Sequence, residues 1–264
     1  MIIAAALCPS PPLLVRELTG ADPVVADLRD ACAGAVHALL AARPDVIVVV
    51  GPGPDTTAWP SGSRLNIAAY GGRPAQPADA RARAARPASN LAQSAGHAGR
   101  PVPARPGPVP LALGLGGYLL DQAGYTGPRR LHSVSEDDQP ADCLRLGKEI
   151  GDTAERTGLL VMADGSARRG PRAPGHFDER AEAFDAEVER ALRAGDLQAL
   201  EGIDPILARE LMASGRPAWQ VLAGATHGSA LLADVMYAGD PLGVMYVVSG
   251  LRDPRIPGLS RRRR

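Results

Sequence analysis

Apolar residues fall into two kinds of run along this chain, and the two kinds alternate. Ile2-Ile3-Ala4-Ala5-Ala6-Leu7 and Val46-Ile47-Val48-Val49-Val50 are unbroken, which is the pattern of parallel strands covered on both faces. Between them, within 22–42, Leu28, Cys32, Val36, Leu39 and Leu40 recur at helical spacing, and Pro44 closes the segment. Strand, helix and strand in that order predict a βαβ unit with a right-handed crossover.

The alternation resumes after a gap. Residues 109–120 predict a strand entering a helix through Gly114, Gly116 and Gly117; a strand is expected at 131–134, a helix over 141–157 and a short buried strand at 159–163. An acidic amphipathic helix follows at 177–194, then helices at 205–214 and 218–225, and a last strand at 242–249. The elements add up to an α/β fold, a single-domain sandwich whose central, mostly parallel or mixed β-sheet carries helices on both faces.

The gap is a segment of different character. From 71 to 110 the chain is rich in Ala, Arg, Pro and Gly with scarcely a large apolar side chain, so burial there cannot offset the entropy of ordering. The expected organisation is one domain over 1–259, interrupted by a low-complexity insertion at about 71–108, with a solvated basic tail at 260–264.

Composition narrows the function classes. The chain has 264 residues with 29 basic and 29 acidic side chains, and this balance argues against a nucleic-acid partner, which needs several phosphates neutralised on one face. Cys8, Cys32 and Cys143 are far apart and form no CxxC pair, which fits a reducing, cytoplasmic setting and neither a zinc nor a disulfide framework. No run of 18 apolar residues occurs, so no membrane span is expected.

The glycine-rich turns do not make a nucleotide site. Gly51-Pro52-Gly53-Pro54 and Gly114-Leu115-Gly116-Gly117 satisfy neither GxGxxG nor GxxxxGK[ST], and the prolines remove amide donors that a phosphate would use. Among the five histidines, His132 stands where a strand end meets Glu136-Asp137-Asp138, and neighbouring carboxylates can raise an imidazole pKa into the range useful for proton transfer. A capping Ser or Asp run beside a satisfied histidine accounts for the same letters. Asp164 follows the strand at 159–163, and His176 follows after Arg168, Arg169 and Arg172, whose guanidiniums suit an anionic substrate. His176-Phe177-Asp178 reads equally as a staple and cap for the acidic helix. His132, Asp164 and His176 are therefore the candidate catalytic residues, and Ser10, Gly53, Asp55 and Arg168 the candidate cleft residues.

Segment order and strand-end motifs resemble the class III extradiol ring-cleavage dioxygenases, in the B-subunit-like branch that includes the Memo-type proteins. Pro9-Ser10-Pro11-Pro12 matches the family's Pro-His-x-Pro with Ser10 in place of an iron-binding histidine. Gly51-Pro52-Gly53 matches Ser-Pro-His with Gly53 in place of the second. His132-Ser133 looks like the family's Glu-His-Ser segment without its glutamate. Ala163-Asp164-Gly165-Ser166-Ala167 is similar to Gly-Asp-x-Ser-His, with Ala167 in place of the acid/base histidine, and Gln220 stands by order in the helix of the late carboxylate ligand.

In the family, two histidines and a carboxylate hold Fe(II) with positions open for catecholate and oxygen. The resemblance therefore implies a dioxygenase-like fold without iron chemistry: a binding or assembly protein with no cofactor and no metal ligand, assembling as a homo-oligomer and taking a small aromatic or anionic ligand. The alternative is a divergent enzyme using His132, Asp164 and His176, with Fe(II) as cofactor in that case alone.

Overall fold

The computed structural model describes residues 1–20, 23–70, 108–153, 156–229 and 231–255. The insertion expected at 71–108, apart from residue 108, and the tail at 260–264 lie outside the described residues. Seven strands, β1 (Ile2–Cys8), β2 (Val46–Gly53), β3 (Thr57–Trp59), β4 (Arg129–Ser135), β5 (Thr157–Met162), β6 (Leu232–Gly239) and β7 (Tyr246–Arg252), form one sheet in the order β3-β4-β2-β5-β1-β7-β6. β4, β2, β5 and β1 run parallel; β3 at one edge and the β7-β6 pair at the other are antiparallel. The sheet is therefore mixed around a parallel centre.

The helices are α1 (Arg16–Thr19), α2 (Ala26–Ala41), α3 (Leu111–Gln122), α4 (Pro140–Gly151), α5 (Arg180–Ala194), α6 (Pro205–Glu210) and α7 (Arg216–Ala225). Strand alternation sorts the apolar side chains into two layers. Ile3, Ala6, Ile47, Val49, Leu160 and Met162 meet Cys32, Val36 and Leu39 of α2 and Leu113 and Leu120 of α3. Leu7, Val48, Val50, Leu159 and Val161 meet Val188 of α5 and Trp219 and Leu222 of α7. Each large aliphatic side chain so enclosed stabilises the fold by about 1.5–3 kcal/mol relative to an exposed one. Both faces of the sheet are covered, as the unbroken runs predict.

Glycines set how closely the helices approach. A Cβ on Gly116 would lie 2.5 Å from Val49 Cγ1 and 3.2 Å from Met162 Cγ, so Gly116 lets α3 pack onto β2 and β5, while one on Gly114 would lie 3.0 Å from Leu65 Cα. Between α4 and α7 the fit is backbone against backbone: a Cβ on Gly147 would lie 2.7 Å from Ala225 N, and one on Gly151 2.5 Å from Ala225 O.

Several expected boundaries move. No strand forms at 109; α3 starts at Leu111, one residue after Pro110, which has no amide proton to give a neighbouring strand. The helix expected over 141–157 ends at Gly151, because Thr157 already pairs with Ile2 and Val46 in the sheet. The acidic helix starts at Arg180, not 177; Phe177 is 63% exposed and staples nothing. The last strand covers Tyr246–Arg252 in place of 242–249, and it pairs with β6, which no periodicity announces.

Candidate ligand site at the strand ends

The connection after β1 leads to α2 and that after β2 to α3, both in one layer, whereas β4 and β5 lead to α4 and α5 in the other. In the order β4-β2-β5-β1 every adjacent pair therefore sends its chain to opposite faces, which opens crevices at the carboxyl ends of the strands, where α/β sheets bind ligands.

At the β5/β1 crevice the carboxylate of Asp164 accepts the Ser10 amide N–H at 2.7 Å and the Ser10 hydroxyl at 2.9 Å. The register that pairs Cys8 with Met162 sets these two residues side by side. Burial pushes the Asp164 pKa up, against the opposing effect of the two Ser10 hydrogen bonds. Tyr246 and Cys32, both buried in the α2 layer, sense the same carboxyl.

An acid whose pKa is raised on folding holds its proton longer in the folded chain. Its contribution to stability is thus present below about pH 4 and is lost as pH rises through the raised value. Asp164→Asn keeps an oxygen for the Ser10 amide and has no charge to bury, so it is expected to gain stability relative to the wild type between pH 4 and 8. Urea midpoints of both proteins at the two ends of that range test it, and a gap independent of pH would contradict it.

At the β2/β4 crevice the space beside Gly53 is already filled. A Cβ there would lie 2.6 Å from Ser133 Cβ and 3.1 Å from Pro110 Cγ. Ser133 is fully buried and fixed in turn, its hydroxyl accepting the Trp59 indole N–H at 2.8 Å and donating to the Asp55 carbonyl at 2.6 Å. Asp55 thus holds the crevice wall through its backbone, and its own side chain is exposed.

The residues do not fit an Fe(II) centre of the kind the resemblance describes. Ser10 is committed to Asp164, Gly53 has no room for an imidazole, and Ala167 is buried with its amide bonded to Leu211 O. Gln220 accepts from Arg216 at 3.0 Å and donates to the Glu201 and Ile203 carbonyls at 3.1 Å, so its amide is fully used inside the α7 layer. Among the described residues, no three His, Cys, Asp or Glu side chains share a position able to hold a metal ion.

The three candidate catalytic residues occupy separate places. His132, in mid-β4, opens on the α4 side into a surface groove lined also by Thr56, Thr57, Asp138, Asp142, Arg145 and Glu149. Asp164 sits two strands away, roughly 10 Å in lateral spacing, with its carboxyl against the other layer. His176 is exposed in the loop before α5 with φ of 61°. The upward shift expected for His132 does not occur: burial, with help from Arg130, pushes its pKa down, which keeps the ring neutral. Of the loop arginines, Arg169 pairs with Asp240 at 2.9 Å and reaches the buried Asp185 at 3.8 Å. Arg168 is half-buried, and its enclosed Nε makes no hydrogen bond.

Sequence reasoning passed over Arg216, a 2%-exposed cation at the start of α7. It donates to the carbonyls of Asp138 at 2.7 Å and of Glu136, so it braces the turn after β4 that separates the His132 groove from a smaller one beneath α6. The signal was available: Arg216 and Gln220 stand four apart in an otherwise apolar helix, hence on one buried face.

No protein-family model matches the chain, and no curated protein is recognisably related to it. Its fold is similar to that of the uncharacterized protein JW3007 from Escherichia coli K12, whose crystal structure superposes with a TM-score of 0.51 at 15% identity, over 94% of this chain and 99% of that one. At that identity the likeness establishes the α/β architecture and leaves the chemistry to the residues themselves.

Proposed function

We propose that this chain is a binding or assembly protein on an extradiol dioxygenase-like fold that has lost Fe(II)-dependent ring cleavage. One observation carries the reading: both positions that the resemblance gives to iron-binding histidines are built for something else, Ser10 as a partner of Asp164 and Gly53 as a contact for Ser133. The crevices are held shut by protein contacts where the family would need imidazoles. A concave surface with a neutral, half-buried ring is the His132 groove, and because its three carboxylates, Asp138, Asp142 and Glu149, are answered only by Arg145 it suits a small aromatic ligand better than an anionic one.

The alternative, a divergent enzyme working through His132, Asp164 and His176, has less support because those side chains do not converge. Three buried free thiols suit a cytoplasmic setting. The exposed Leu232 and Met236 on edge strand β6 support a homo-oligomer. No described helix is long and apolar enough to cross a membrane.

The test is metal content of untagged protein purified without oxygen, followed by Fe(II) titration. Iron no higher than in a denatured control is the expected result. Tight stoichiometric iron would overturn the proposal and make His132 and its neighbouring carboxylates the ligands to mutate.

A further inference from the structure

The groove beside His132 has a volume of about 360 Å³, at the low end of the range that seats small ligands. Its charges do not balance: Asp138, Asp142 and Glu149 line it together with one cation, Arg145. Arg145 donates to Asp142 at 3.2 Å and to Glu149 at 2.9 Å, so both of its arms are committed along α4. The Asp138 carboxylate accepts the Thr56 hydroxyl, and among the described residues no cation pairs with it. Arg216 meets Asp138 only through the backbone carbonyl, at 2.7 Å. Arg130 precedes His132 by two residues on β4 and does not line the groove.

The imidazole adds no charge of its own. Burial, and after it Arg130, keep the His132 ring neutral, and among the described residues neither ring nitrogen is taken up by a hydrogen bond. Ala58 and Leu146 add apolar wall. An incoming anion would meet an excess of two negative charges, three carboxylates less one guanidinium. A neutral ring would find the apolar wall and leave Asp138 unanswered. An ammonium ion carries one positive charge and donors only, so a small ring bearing one answers both parts of the surface.

We propose that this groove binds a small organic ammonium ion, its charged head paired with Asp138 and its apolar body against Ala58, Leu146 and the His132 ring. The inference rests on the reading of the His132 groove as the ligand seat and adds the charge of what sits there.

The experiment is titration of the full chain with benzylammonium chloride at neutral pH and low ionic strength, with benzyl alcohol as the uncharged probe carrying the same ring. The backbone amides of Ala58 and Leu146 and the His132 ring protons are followed by NMR. Benzylammonium is expected to shift them saturably and to bind about fivefold or more tighter than the alcohol. Asp138→Asn keeps an acceptor for Thr56 and should bring the two probes to within about twofold of each other. Glu149→Gln, an exposed change on α4, should narrow the gap in the same direction. Equal affinity for the two probes in the wild type, or benzylammonium binding unchanged in Asp138→Asn, would overturn the charge assignment while leaving the groove as a ligand seat. Saturation by neither probe would overturn both.

Discussion

Gly147→Ala is expected to lower the unfolding free energy by about 3 kcal/mol. The same replacement in an ordinary exposed helix interior stabilises by up to about 1 kcal/mol, because alanine loses less backbone entropy than glycine. Its sign reverses here because the added methyl meets the Val221 carbonyl and Ala225 amide of α7, which are fixed by that helix's own hydrogen bonds and cannot rotate aside. α4 and α7 must separate, and the separation spreads into the layer around Trp219 and Leu222. Gly117 is the control, since it lies within α3 and a Cβ there meets nothing within 4 Å. Gly117→Ala should leave stability equal or slightly higher, while Gly147→Ala should lower Tm by about 6–12 °C. Equal melting of the two variants would mean that α4 and α7 are not packed as described.

Restoring the two histidines of the dioxygenase pattern is expected to fail. In Ser10→His/Gly53→His the imidazole at 53 collides with Ser133, whose hydroxyl is engaged on both sides by Trp59 and Asp55, and with Pro110. At position 10 the change removes the hydroxyl that donates to Asp164 and leaves an enclosed carboxyl short of a partner. Overpacking and an unsatisfied buried acceptor together are expected to destabilise by about 4 kcal/mol, read as a shift in the urea midpoint. The folded fraction is expected to take up no more Fe(II) than the wild type. A stably folded double variant with one tightly held iron would show that the site was merely missing its ligands.

The contrast between fold and site in what the sequence discloses has a physical cause. β1, β2 and β5 are legible because a strand covered on both faces takes residues without charge in an unbroken, mostly apolar run, as in Val46–Val50. β3 is three residues long and too short for any period to register. β6 escaped because it is an edge strand: Leu232, Asp234 and Met236 face solvent while Ala233 and Val235 are half-buried, and a register shift between Val235 and Tyr237 breaks the alternation.

The site depends on contacts that spacing cannot carry. Ser10 and Asp164 are 154 positions apart, and they meet only because β5 lies next to β1 with Cys8 opposite Met162. The letters identify Ser10 and Gly53 as substitutions in a motif. Only the packing shows that Gly53 has no space for a side chain and that His132, beside three acidic residues in sequence, is governed by burial and Arg130.

The sheet order also bears on how the chain is made. β1 and β2 are joined by α2 and are made before β5, yet they never touch through hydrogen bonds, because β5, over a hundred residues downstream of β2, lies between them. Until residues 157–162 arrive, β2 lacks one of its two neighbours, and β1, whose other partner is the still later β7, has none. Such long-range closure slows folding and leaves adhesive edges open in the meantime. The central pairing of the sheet, β2 with β5 and β5 with β1, thus waits for residues 157–162 to be made.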